Sequence, residues 1–103
     1  MLIREKDKDT LRQIFSSVEQ PPFEVWAHGS RVDGSAHSGS DLDLVIRTAD
    51  WMLFPCSTFS ALTKKIQDSN IPFLVDLMDW TFLPESFHKN IAQQHEVLYR
   101  STV

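Results

Sequence analysis

The sequence predicts a small domain of the α/β (α+β) class, and three observations predict it. Leu11, Ile14, Phe15 and Val18 recur at spacings of three and four, the signature of one apolar helical stripe. Asp41 to Arg47 alternates strictly, with Leu42, Leu44 and Ile46 to one side and Asp41, Asp43, Val45 and Arg47 to the other. Phe59, Leu62 and Ile66 then return to helical spacing ahead of another apolar run, Ile71 to Asp79.

Taken in order, the first helix must stop before Pro21-Pro22, since proline lacks the amide hydrogen a helix interior needs. Phe23 to His28 reads as a short buried strand running into Gly29-Ser30, where glycine permits a tight turn and serine caps a short helix over Arg31 to Gly34. Ser35 to Ser40 is small and polar throughout, hence a loop. After the Asp41 to Arg47 strand, Pro55 suits the first turn of a helix that extends to about Ser69-Asn70. The third strand covers Ile71 to Asp79, and a last helix covers Pro84 to Gln94 with Phe87 and Ile91 inward. Val97 to Tyr99 is expected to pack as a terminal extension.

Composition narrows the function. A chain of 103 residues is one domain, 1–103, and a domain of this size buries about 60 to 65 per cent of the surface its unfolded chain exposes. It has no room for a separate substrate domain. With 42 per cent hydrophobic and 23 per cent charged residues it is an ordinary globular sequence. A net charge of −4, with the ten basic residues scattered, disfavours binding to nucleic acid, which relies on clustered cations against phosphate. One cysteine, Cys56, cannot form an internal disulfide and is expected to be a small buried residue near a helix start. A charged N-terminus and no long apolar run point to a cytoplasmic protein without a membrane span.

The chemistry lies in the spacing of Gly29-Ser30, ten further residues, and Asp41-Leu42-Asp43. Transfer of a nucleoside monophosphate needs charge stabilised on the attacking and leaving oxygens, which two Mg²⁺ ions roughly 4 Å apart can supply. Mg²⁺ takes hard oxygen ligands, so two carboxylates two residues apart on a strand, about 7 Å along the chain and on one face, are suitable holders. A third carboxylate on a neighbouring strand completes the set. Asp76 and Asp79 are three apart and so on opposite faces; Asp76 alternates with Leu74 and Met78 inside the run, whereas Asp79 is expected to meet solvent at its end beside Trp80. Asp76 is therefore the candidate. Three such carboxylates would repel by roughly 4 kcal/mol per pair at about 4 Å and an effective dielectric near 20, so they either bind a cation or hold a proton. Backbone amides at the Gly29-Ser30 turn can cradle phosphate, and Ser30 can add its hydroxyl, without the lysine of a P-loop. By composition this spacing arises by chance in about one such chain in several hundred.

The stretch His28-Gly-Ser-Arg-Val-Asp-Gly through Ser40-Asp-Leu-Asp-Leu, with Val75-Asp-Leu, resembles the minimal nucleotidyltransferase domains of the polymerase β superfamily over nearly the whole chain. The resemblance implies a mixed sheet flanked by helices, ATP with Mg²⁺, catalytic and metal-holding carboxylates at Asp41, Asp43 and Asp76, and nucleotide contacts at Gly29, Ser30, Arg31 and Ser40. It further implies the antitoxin half of a two-gene module whose partner is a HEPN-domain toxin, with AMP transferred to a tyrosine of that partner. His28 and Asp33 depart from the usual pattern, and Asp33 adds negative charge near the triphosphate.

Other readings stand beside these. The fold could serve as a binding module that neutralises its partner by occlusion, with relict carboxylates; an antibiotic-modifying enzyme is disfavoured for want of domain mass. Arg31 reaches phosphate or partner, or else forms an ordinary surface ion pair. His28 and His37 lack metal-ligand spacing and read as packed or solvated. Trp26, Trp51 and Trp80 read as core or interface residues before they read as base-stacking ones.

Overall fold

The alternation of Leu42, Leu44 and Ile46 is realised at the centre of a four-stranded sheet. The computed structural model describes residues 3–18, 22–29, 31, 34, 41–48 and 54–101. Its elements are α1 (Glu5–Ser16), β1 (Phe23–His28), β2 (Leu42–Thr48), α2 (Cys56–Gln67), β3 (Val75–Asp79), a 3₁₀ turn (Trp80–Phe82), α3 (Glu85–Gln93) and β4 (Glu96–Arg100). Strand order is β3-β2-β1-β4. β1 runs antiparallel to β2 and to β4, while β2 and β3 are parallel, so the sheet is mixed. The parallel pair needs a crossover, which α2 supplies.

One face carries the main core. Phe23, Val25, Ala27, Leu42, Leu44, Ile46, Leu77 and Leu98 meet Leu11 and Phe15 of α1 and Leu62 and Ile66 of α2, all buried. The opposite face is covered over part of its length by a smaller cluster of Trp26, Val45, Trp80 and Ile91, with Leu83 against it. That partial cover matters, because Asp43 and Asp76 belong to the same face and lie beyond it. No described helix is long and apolar enough to cross a membrane.

Four expectations need correction. Regular pairing in β3 begins at Val75, not Ile71, with bends before it; Pro72 has no amide hydrogen to give a ladder. Phe87 is 50 per cent exposed, because the inward face of α3 passes through Ile91 and the half-buried His88, and Phe87 sits one position off that line. Val97 to Tyr99 is part of β4, which pairs along β1 with an irregularity at Val25/Trp26. Cys56 does open α2 but is exposed.

Candidate active site

The register of three strands builds the site. His28, last in β1, stands opposite Asp43 of β2, and Asp43 stands beside Asp76 of β3. Opposed or adjacent residues share a face at about 5 Å between strands, so His28, Asp43 and Asp76 form one row across the sheet. Asp41 precedes β2 by one residue and is exposed, and it too acts electrostatically on Asp43. Spacing predicted Asp41 and Asp43 on one side and Asp76 in preference to Asp79; the register brings Asp43 and Asp76 together and leaves Asp41 ahead of the strand.

Gly29 continues from β1 with φ of 82°, a backbone region in which side chains are strained. A Cβ added there would collide with Asp43 Oδ2, so the turn approaches the carboxylate as closely as it does only because the residue is glycine. Ser30 and Ser40 lie outside the described residues, as do His37, Asp33 and Trp51. Within the short helix expected after Gly29-Ser30, Arg31 is helical and Gly34 lies in a turn. Arg31 is not a surface residue: it is 6 per cent exposed and its guanidinium lies 4.1 Å from the centre of the Phe73 ring.

The row is electrostatically uncomfortable. Burial pushes the Asp43 carboxyl above its ordinary value, with Asp76 and Asp41 adding repulsion and His28 opposing them. Burial holds the His28 imidazole below its ordinary value, against the pull of Asp43 and Asp76. His28 Nε2 is buried and has no hydrogen-bond partner among the described residues. Among the described residues no three His, Cys, Asp or Glu side chains are gathered closely enough to enclose a metal ion. Mg²⁺ is nonetheless commonly held by one or two carboxylates together with substrate phosphates, so this donor set suits an ion that arrives with a nucleotide better than one held in a protein cage.

Asp79 has a different occupation from the one expected of a strand-end acid. It is 7 per cent exposed, accepts from Phe54 N at 3.0 Å, and accepts from Thr81 N and Oγ1 at 2.9 and 2.7 Å. It caps the 3₁₀ turn and ties down the start of α2, and it cannot face the row. Alongside the site, an open cleft of about 700 Å³ adjoins Asp41 and is floored by Ile71, Pro72 and Phe73.

Sequence reasoning missed the packed end of the same face. The Arg47 guanidinium lies 4.8 Å from the Trp26 ring centre and 5.2 Å from that of Trp80. His95 stacks on Trp26 at 4.0 Å and His88 on Trp80 at 4.1 Å. Their ring N–H groups donate to the carbonyls of Ile91 and Trp80 respectively. Trp26 and Trp80 are thus core residues, and only the i, i+2 alternation of Asp43, Val45 and Arg47 hinted that the ladder shares a face with the acids.

Comparison with known proteins bears on the family and the fold. The family model described as "Polymerase beta, Nucleotidyltransferase" matches residues 9–102. A curated relative, the "Probable protein adenylyltransferase MntA" of Haemophilus influenzae, is 37 per cent identical over 78 residues, 76 per cent of this chain and 67 per cent of the relative. A crystal structure of a toxin-antitoxin with AMP-PNP superposes with a TM-score of 0.66 at 19 per cent identity, covering 92 per cent of this chain and 74 per cent of that one. A mutant MntA-HpeT toxin-antitoxin structure, with two aspartates two positions apart changed to glutamate, gives 0.70 at 16 per cent identity over the same shares. A structure from Shewanella oneidensis gives 0.68 at 17 per cent, covering 95 and 73 per cent.

Proposed function

Since the chain belongs to the polymerase beta nucleotidyltransferase family, we propose that it transfers AMP from Mg²⁺-ATP to a hydroxyl, a tyrosine in this reading, of a HEPN-type toxin, and so acts as an antitoxin. The observation that carries this is the register that sets Asp43 beside Asp76 with a side-chain-free Gly29 against the Asp43 carboxylate. A partly buried Asp43 set beside other acids stays ionised only at a cost, and a divalent cation is the partner that removes it. The relatives support the transferred group and the kind of partner: an adenylyltransferase, and toxin-antitoxin complexes, one with AMP-PNP.

In this mechanism Asp41 and Asp43 would hold Mg²⁺ together with the nucleotide's phosphates, and Asp76, near the acceptor, would complete the set only once the nucleotide is bound. The bound ions supply charge stabilisation at both ends of the displacement. The turn at Gly29-Ser30, with Arg31 and Ser40 as further contacts, holds the phosphates through its amides. The acceptor oxygen forms a bond to the α-phosphorus as the bond to the bridging oxygen breaks, pyrophosphate leaves, and the hydroxyl proton passes to Asp76 on its way to solvent. The net negative charge and scattered basic residues fit a protein acceptor better than a nucleic acid.

Incubation of the chain and its toxin with α-labelled ATP and Mg²⁺ should label the toxin, and Asp43→Ala should abolish labelling while the complex still forms. Labelling undiminished by that substitution would remove the assignment. A complex that forms but takes no label from the unaltered chain would leave neutralisation by occlusion as the function.

A further inference from the structure

The phosphate turn pivots on Gly29, and glycine has the widest backbone freedom of any residue, so its place against Asp43 has to be fixed by what flanks it. Upstream it is fixed by β1, whose last residue, His28, is in register with Asp43. Downstream the next described residue is Arg31, which is 6 per cent exposed and has its guanidinium 4.1 Å from the centre of the Phe73 ring. Phe73 does not belong to the turn's side of the sheet. In the strand order β3-β2-β1-β4 it leads into β3, whereas the turn leaves β1, so the contact reaches across the head of β2, over two strand spacings or about 10 Å.

Phe73 is itself held. The Leu74 carbonyl accepts from Leu42 N at 2.9 Å, which pins the backbone beside Phe73 to the residue between Asp41 and Asp43, and the ring packs against the main core. A cation taken out of water needs partners in place, and the face of an aromatic ring is one. Resting on the nucleotidyl-transfer reading above, we infer that Phe73 is a positioning residue: its ring anchors the Arg31 side chain and so holds the phosphate turn at the head of β2, against Asp43. Arg31 serves with its side chain as the anchor and with its backbone as part of the turn. Loss of the anchor lowers the fraction of molecules whose turn is in place, which weakens apparent nucleotide affinity by that fraction and leaves the chemical step of the bound complex unchanged.

The test uses two variants of one position. Phe73→Leu keeps apolar bulk and removes the ring, and Phe73→Tyr keeps the ring, with the adjoining cleft open to the added hydroxyl. In nucleotide-free protein, amide hydrogen exchange over residues 28–31 is expected to be about tenfold faster in Phe73→Leu, the scale of one desolvated cation–π contact, and unchanged in Phe73→Tyr. Exchange in β4 should stay as in the parent in both, since the opening is local. In toxin labelling, Phe73→Leu should raise KM for Mg²⁺-ATP about tenfold with kcat within about twofold, and Arg31→Met added to it should raise KM no further, since the two residues act through one contact. Faster exchange in β4 as well would make Phe73 a core residue and nothing more, and a Phe73→Tyr protein that behaves as Phe73→Leu would deny the stacking a role; either overturns the inference, as does an unchanged KM in Phe73→Leu. If the parent labels no toxin, the transferase reading falls on its own, and the exchange measurement still decides whether Phe73 holds the turn.

Discussion

Two ends of one sheet face treat polarity in opposite ways. Toward the end of β2, Arg47 lies against the two indoles, His88 and His95 stack on them, both imidazoles donate to carbonyls, and Trp26 Nε1 donates to Glu24 Oε1 at 3.0 Å. At the start of β2, four residues away and about 13 Å along the strand, His28 Nε2 is buried with no hydrogen-bond partner among the described residues, and Asp43 is held above its ordinary ionisation range. Trp26 and Arg47 at one end, and His28 and Asp43 at the other, issue from the same β1–β2 register. What differs is charge: the packed end sets one guanidinium against aromatic rings, whereas the acidic end gathers carboxylates that repel one another. Local rules of packing are kept where the sheet needs stability and broken where it needs chemistry.

The sharpest way to break that contrast is to neutralise the acidic end. Asp43→Asn should lower nucleotidyl transfer by about three orders of magnitude, the scale of losing several kcal/mol of metal-borne charge stabilisation. In metal-free buffer the same variant should melt at a higher temperature than the parent, because the charge removed was unfavourable in the fold. A variant that lost both activity and stability would show Asp43 to be a structural acid like Asp79. The converse change, Trp80→Ala, should cost about 3 to 5 kcal/mol in urea unfolding, the usual loss for a large buried aromatic. Transfer per folded molecule should be nearly retained, since the ladder does not touch the row.

How far each end could be read beforehand follows from the range of the forces that make it. β1 was readable residue for residue, and β2 to within one, because their patterns are dictated by neighbours two positions away. The choice of Asp76 over Asp79 came from alternation within the strand; the register that sets Asp76 beside Asp43 did not. β4 was not: Glu96 to Arg100 is short, and its edge is chosen by β1, some 70 residues earlier. Asp79 was misjudged because its partner is the Phe54 amide, 25 residues away. Arg31 stayed open between a phosphate or partner contact and a surface ion pair because Phe73, the ring beneath it, belongs to a distant loop. The histidine and tryptophan ladder was invisible for the same reason: α3 and β4 place His88 and His95, and no local pattern says over what.

A smaller effect probes the contact between turn and acid. Gly29→Ala puts a side chain where φ is positive and where Asp43 Oδ2 already stands. The expected loss is about 1 to 3 kcal/mol in denaturant unfolding, for a strained backbone and a displaced carboxylate. In the Asp43→Ala background the collision is relieved and the loss should shrink toward the backbone share alone. A double-mutant cycle with no coupling would mean that Gly29 is required by the turn and not by the site.

The smallest expected effect is the most diagnostic, because the two neighbours in the row should pull stability in opposite directions with pH. Asp43 has a folded pKa above its ordinary 3.8. From that value up to the folded one the native state holds more protons than the unfolded, so stability falls as pH rises. His28 has a folded pKa below its ordinary 6.5. From the folded value up to 6.5 the unfolded state holds more protons, so stability rises with pH. In the metal-free parent the two limbs partly offset. Urea unfolding across mild acid should expose them singly: His28→Phe leaves the falling limb, and Asp43→Asn leaves the rising one. The rising limb should then begin at lower pH, since Asp43 is the largest charge that raises His28. Mg²⁺ should flatten the falling limb by favouring the ionised carboxylate. Profiles that respond to neither substitution would mean that the row carries no net strain, and the contrast between the two ends of the face would lose its energetic basis.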